Sequence, residues 1–425
     1  MALAKRLIST YKQQSILPGW LALLMILLSL INLARVFQPP LSADRSIDFR
    51  PLYLGQYRLQ QGEDPYDYER LIQTWKEIAV REDLDPKSVP RFLLYPPWAL
   101  ALFLVFAPLP FGTAVWIWYA ALPIMLTMII YCSTKFFIPS PSWVNFVEAG
   151  IFALASKGTV QSMTVGQPAF LCLALGFGSL LLYGRRRDLL AGLLLGLAAL
   201  KISLAVPFIL FFAFRRKLIT LVAAAGMGAA LTSVWFVLTD DPLEVGASYL
   251  TALRTIDRYS YRPDRSGYPL TYDMINKTEI GALAEYLVNG IAPYLPILHL
   301  FLFAMVVIFC ARILKGNRPT DLFLFLLLSL VALMTTHHFY YDCLILLPLY
   351  AFALQLKPSH RRLLMLLLWA FYVPVNGLLN RLPTPPIMDV FYFMTPVTIA
   401  ALMVFFLWRL AEGDESLDTP ITIGL

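Results

Sequence analysis

Residues 188–214 read DLLAGLLLGLAALKISLAVPFILFFAF, an apolar run in which, after the opening Asp188, the one charge is Lys201. Arg185, Arg186 and Arg187 precede it, and Arg215, Arg216 and Lys217 follow it. Clusters of Lys and Arg at the ends of apolar runs mark the cytoplasmic side of a membrane. One helix over 188–214 would put a basic cluster on the wrong side. It would also leave Lys201 in mid-bilayer, where a charge costs at least ~2.5–3.5 kcal/mol. The stretch is therefore predicted to break into two short helices with Lys201 near the apex. Irregular backbone at membrane depth is tolerated only where it lines a cavity or is buried in protein.

Further apolar segments lie at 17–36, 97–110, 113–134, 143–163, 168–183, 217–238, 287–312, 320–336, 338–356, 361–378 and 387–408. Hydrophobic residues make up 59% of the 425, and charged residues 14%. Soluble domains average about 45–50% and 25%. The expected fold class is all-α, a polytopic transmembrane helical bundle of about 11–13 membrane segments, some short or re-entrant. It is read as one domain over 1–425. The segment 97–110 is too short for an ordinary span and is expected to insert partly from the outer face. The run from Leu17 to Val36, behind Lys5, Arg6 and Lys12, reads as a retained signal anchor, since no A-x-A site follows it. Cys132, Cys172, Cys310 and Cys343 lack metal or disulfide spacing and read as small core residues.

The net charge of +7 does not indicate nucleic-acid binding, because the basic residues cluster at the ends of apolar runs. They predict a topology with both termini cytoplasmic, and the plasma (inner) membrane is the expected location. The two long polar stretches, 37–95 and 240–284, then face outward.

The first outer loop holds Ser46-Ile47-Asp48-Phe49-Arg50, about ten residues beyond the first span. An acid between Ile and Phe at a membrane surface suits a general base; the plainer alternative is a solvated loop carboxylate. A short helix stopped by Gly62 is expected next, followed by the turn Asp64-Pro65-Tyr66. An amphipathic helix over 68–82 follows, with Tyr68, Leu71, Ile72, Trp75 and Ile78 at helical spacing along the interface. Tyr95-Pro96-Pro97-Trp98 re-enters the membrane. Gly166-Gln167-Pro168 is either a plain turn or part of a site. Lys201 either holds a charged substrate or snorkels to an interface. Arg254, Arg258, Arg262 and Arg265 stand among Tyr259, Tyr261 and Tyr268, a mixture suited to a phosphate or a sugar face, or to a solvated basic loop. His337 and His338 are adjacent, so they do not share a helix face and do not read as a two-His metal site. One of them suits a phosphate contact.

Taken in order, these pieces resemble glycosyltransferase family 87, of the GT-C superfamily of multi-span enzymes. The matching pieces are Asp48-Phe49 after the first span, Gly62 with Pro65-Tyr66, Tyr95-Pro96-Pro97, Gly166-Gln167, and Ala191-Gly192 through Lys201. The second half matches mainly by hydropathy and by His337-His338-Phe339-Tyr340. The resemblance implies a GT-C-like membrane hexosyltransferase, mannosyltransferase-like, acting outside the cytoplasm. Its donor would be a polyprenyl-phosphate sugar and its acceptor a glycolipid or glycan. Asp48 would be the catalytic base. By the resemblance Lys201, His337 and His338 map onto the region that contacts the donor phosphate; the loop 240–284 matches no family motif, and Arg262 and Arg265 join these candidates by their charge alone. Phe49, Tyr66, Tyr95, Gln167 and Tyr340 would line the pocket.

Attack opposite the leaving phosphate with a single carboxylate implies inversion at the sugar carbon. No Gly-rich phosphate loop is present, as expected when the donor is not a nucleotide sugar. No cofactor is expected, and no acidic cluster demands a metal, although the site leaves room for a divalent ion. A transporter or flippase of lipid-linked glycans would also need intramembrane charge and broken helices, but has little use for an acid and an interfacial helix in the 37–95 loop. An accessory subunit would have no pocket linking Asp48 to Lys201.

Overall fold

A computed structural model describes residues 19–36, 46–86, 93–260, 304, 320–335, 340–357, 360–361, 363–364 and 394–411. All regular structure among them is helical. In chain order the α-helices are α1 (Gly19–Val36), α2 (Phe49–Gln60), α3 (Tyr68–Arg81), α4 (Pro97–Phe103), α5 (Phe111–Phe137), α6 (Trp143–Ala155), α7 (Lys157–Val165) and α8 (Ala169–Gly184). They continue as α9 (Asp188–Ala198), α10 (Ile202–Phe214), α11 (Leu218–Leu238), α12 (Pro242–Ser260), α13 (Asp321–Thr335), α14 (Leu349–Gln355) and α15 (Met394–Ala411). Short 3-10 turns cover Leu104–Phe106 and Tyr340–Leu346.

Among the described residues, α5 and α11 are long and apolar enough to cross a membrane, and α7 with α8 adds a third span if that pair, bent by 119°, is taken as one. Other apolar helices, including Pro97–Phe106, α6, α9, α10 and α13, have 10–17 residues. At ~1.5 Å per residue they reach at most about 25 Å, short of a ~30 Å hydrocarbon core. The chain is thus an all-α membrane protein in which several apolar runs are cut into half-length pieces.

The cuts have visible causes. Ala199, Leu200 and Lys201 separate α9 from α10, and Lys201 is the extended N-cap residue of α10. The indole N–H of Trp98 donates to the Ala199 carbonyl (3.2 Å), and the Cys172 thiol to the Lys201 carbonyl (3.8 Å). Backbone freed by the break is therefore taken up by protein, as membrane depth requires. Between α7 and α8, Gly166 turns the chain with φ +69°, and Pro168 precedes the new helix. The apolar run 143–163 is also divided, at Ser156, where extended backbone ends α6. The polar stretch from 240 opens as helix rather than loop. Asp241 caps it by accepting from the N–H groups of Leu243 (3.1 Å) and Glu244 (3.0 Å).

The described helices fall into two compact units. The first contains α1, the end of α5, α6, the start of α7, and α13 to α15. Helix α13 is apolar all round and buried nearly all round, the signature of an interior helix. Phe323 and Phe352 pack against Phe406 at 5.3 and 4.6 Å between ring centres. The fully buried Glu148 of α6 accepts a hydrogen bond from the Tyr350 hydroxyl (2.8 Å), which in turn accepts one from Asn145 (3.2 Å).

The second unit contains α2 to α4, most of α5, the end of α7, and α8 to α12. Gly192 and Gly196 let α9 lie directly on the backbone of α11. A Cβ at Gly192 would stand 2.3 Å from the Thr220 carbonyl oxygen, and one at Gly196 2.6 Å from that of Ala224. Close approach through small residues is the usual means of joining helices in lipid. Helices α2 and α3 obey the sequence signals. Helix α2 stops before Gly62, whose φ is +73°. Asp67 caps α3 through the Arg70 N–H (3.1 Å). Leu71, Trp75, Ile78 and Ala79 make the buried face of α3. Beyond the end of α3, the Glu82 carboxylate accepts from the first N–H groups of α5, those of Phe111 and Gly112, at 2.9 Å each. A carboxylate there satisfies orphan donors and complements the positive end of the helix dipole.

Candidate active site

The site is built on the carbonyl end of α7. The last carbonyls of a helix have no partner within it, and here three in succession are taken by other elements. The Thr164 carbonyl accepts from the Tyr119 hydroxyl (2.6 Å), that of Val165 from the Asp48 N–H (3.1 Å), and that of Gly166 from the Trp118 indole (2.9 Å). Tyr119 also accepts from the Ser46 N–H (3.0 Å), so α5 grips both the end of α7 and the segment that leads into Asp48. Ser46 sits at φ +57°, a left-handed turn, and its carbonyl accepts the Arg50 N–H (2.8 Å). A side chain at Gly166 would be strained by its φ of +69° and crowded, with a Cβ 3.3 Å from both Phe49 and Tyr119.

Phe49 locks the floor. It is fully buried, stacked on Trp118 at 5.3 Å and edge-on to Phe106 at 5.4 Å. That anchor fixes the start of α2, and the half-buried Asp48 next to it has little freedom of position. Its carboxylate oxygen Oδ2 accepts from Nε2 of Gln167 at 2.8 Å. Gln167 is 2% exposed, and its Oε1 accepts from the Tyr95 hydroxyl at 2.5 Å. The Tyr66 hydroxyl donates to the Tyr95 carbonyl (2.7 Å), and the Tyr66 ring packs on Tyr249 of α12 at 5.2 Å. Burial pushes the Tyr66 phenol well above its ordinary value, so it stays a neutral donor.

Two positions later Arg50 turns away from this network. It is 3% exposed and lies over the Trp75 ring at 4.2 Å. Burial lowers its pKa to about 10, against the attraction of Asp85 and Tyr119, so it remains a cation at neutral pH.

Asp48, Phe49, Gln167, Tyr95 and Tyr66 thus form one connected group. Lys201 is half-exposed, and the backbone at the break it ends is tied to the segments that follow Tyr95 and Gln167. Trp98, three residues beyond Tyr95 in the first turn of α4, holds the Ala199 carbonyl, and Cys172 of α8 holds that of Lys201. Cys172 stands in the first turn of α8, five residues past Gln167, which lies in the bend between α7 and α8. Arg262, Arg265, His337 and His338 lie outside the described residues, as does the side chain of Tyr340. Among the described residues no group of three or more His, Cys, Asp or Glu side chains is placed to hold a metal ion. The sequence reading missed the clamp made by Trp118 and Tyr119. Its one signal was a pair of aromatics with polar tips inside an apolar run.

The model of glycosyltransferase family 87 matches residues 92–336, more than half of the chain. That range holds Tyr95, Trp118, Tyr119, Gln167 and Lys201, and begins after Asp48. No curated protein matches the chain.

Proposed function

The chain belongs to glycosyltransferase family 87, and we propose that it moves a hexose, mannose foremost, from a polyprenyl-phosphate sugar to a hydroxyl of a lipid or glycan on the extracytoplasmic face. The observation that carries this reading is the half-buried Asp48 carboxylate, hydrogen-bonded to a buried Gln167 beside broken apolar helices. A sugar hydroxyl is a poor nucleophile at neutral pH and needs a carboxylate to take its proton as the new bond forms. Asp48 takes that proton. The acceptor oxygen bonds to the anomeric carbon from the face opposite the donor phosphate, and configuration inverts. The bond from that carbon to the phosphate oxygen breaks, and its electron pair leaves with the phosphate.

Negative charge grows on the lipid phosphate as it departs, and fixed cations stabilise it best where water is scarce. Lys201 at the N-cap of α10 is the cation assigned to this role, with Arg262, Arg265, His337 and His338 as its companions.

The test is transfer by purified protein in nanodiscs, offered a panel of polyprenyl-phosphate hexoses and a lipid extract. Asp48→Asn keeps the shape and removes the base, and transfer is expected to fall by about 10²–10⁴ with donor binding retained. An Asn variant with most of its activity shows that Asp48 is not the base.

A further inference from the structure

We propose that Gln167 is the positioning residue of the reaction and that Tyr95 is the lock on its amide. The proposal rests on the reading of Asp48 as the base. An amide can face either way, and chemistry decides which. An ionised carboxylate only accepts hydrogen bonds, so the group facing Asp48 must be the Gln167 NH₂. The amide oxygen then needs a donor, and the Tyr95 hydroxyl supplies it. Flipping the amide would set its oxygen against the Asp48 carboxylate, two acceptors face to face, and would also break the bond that the Tyr95 hydroxyl now makes to Oε1. The phenol makes the present orientation the favoured one.

Each member is fixed from outside the trio. The Gln167 N–H donates to the Ser162 carbonyl (2.9 Å), and the Gly166 carbonyl just before it is held by Trp118. Tyr95 is held through its own carbonyl by Tyr66. Asp48 is held through its N–H by Val165. The chain from Asp48 to Tyr95 does not conduct protons, because a glutamine amide neither takes nor gives one at ordinary pH. It therefore does one thing: it fixes the direction of the carboxylate and favours its ionised, proton-accepting form.

The charged and titratable groups tied to this network include Tyr95, Tyr119 and Arg50. Free phenols ionise near pH ~10, and Arg50 stays charged at neutral pH over Trp75. An acid limb in the rate profile is accordingly assigned to the carboxylate.

The experiment measures single-turnover rates from pH 4.5 to 8.5 in nanodiscs, with polyprenyl-phosphate mannose or whichever panel donor turns over fastest. Gln167→Met keeps length and removes the donor, and its acid limb is expected to move up by roughly one pH unit, with donor KM within about twofold. Gln167→Glu sets a second carboxylate against Asp48, and its limb is expected to move further. Tyr95→Phe is expected to move it less, and the double variant Tyr95→Phe with Gln167→Met no more than Gln167→Met alone, since the lock matters only when the amide is present.

An unmoved limb in Gln167→Met, with or without a lower rate, overturns the proposal. If Gln167→Met does not fold, Tyr95→Phe decides in the same way. A dead Asp48→Asn beside an unmoved limb removes the positioning role alone, whereas an active Asp48→Asn removes the base and the positioning role together.

Discussion

Replacing Gly192 by alanine adds one methyl group where α9 touches α11. The new Cβ would stand 2.3 Å from the Thr220 carbonyl oxygen and 2.6 Å from the Ala223 Cβ. Carbon and carbonyl oxygen do not ordinarily approach closer than about 3.3 Å. The two helices must therefore part by about 1 Å, because the obstacle is backbone and has no rotamer to change. Overpacking of this kind costs about 1–3 kcal/mol, and the contact lies at the steep end of that range. Alanine's better helix propensity returns about 0.8–1 kcal/mol, which leaves a net loss of about 1–2 kcal/mol. Gly226 on α11 supplies the control: among the described residues nothing lies within 4 Å of a Cβ there, so Gly226→Ala keeps the propensity gain alone. The assay is thermal unfolding of both variants in the same detergent. Gly192→Ala should unfold several degrees lower than the parent, and Gly226→Ala at the same temperature or slightly higher. Equal shifts in the two variants would mean that propensity, not helix contact, governs both sites, and the packing argument would fail.

Lys201→Ala is expected to raise donor KM or lower kcat by about tenfold or more while acceptor KM holds; unchanged donor kinetics would remove Lys201 from the site. Glu82→Ala strips the carboxylate from the first two N–H groups of α5 and should cost about 1–2 kcal/mol, read as a lower unfolding midpoint; equal stability would count against the cap. Tyr53 sits in helix α2, its hydroxyl on the Leu109 carbonyl at 2.7 Å, and burial raises its pKa from 10.0 to about 12. Between those values the folded chain keeps the proton and the unfolded chain has lost it, so the contribution is complete below the lower value and fades towards the higher. Tyr53→Phe should therefore show a shallower loss of stability over that alkaline range, and identical slopes in denaturant titrations would refute the assignment.

What the sequence made legible was local chemistry. Lys201 between two basic clusters forced the break in 188–214, and the structure has it at Ala199 to Lys201. Gly62 and the amphipathic spacing of 68–82 placed α2 and α3. The division at Ser156 was hidden, because Ser156-Lys157-Gly158 interrupts an otherwise apolar stretch too briefly to stand out. Helix α12 was hidden by its polarity, although Asp241 before Pro242 is a helix-start signal. At the site, Asp48 and Gln167 were each legible as polar residues at turns. Their hydrogen bond joins positions 119 apart in the chain, and no period or spacing in a single sequence encodes such a meeting. Nor did the aromatics of α5 announce that they would cap α7.

Helix α5 joins two of these features in one rod. Glu82 fastens the end of α3 to its first turn, and Trp118 and Tyr119 grip the end of α7 seven and eight residues further on, about 11 Å along the helix. A continuous helix keeps that interval constant. Any tilt or shift of α5 will accordingly move the end of α3 and the Gly166-Gln167 turn together, so a substitution that breaks the helix between Phe111 and Tyr119 should loosen both at once.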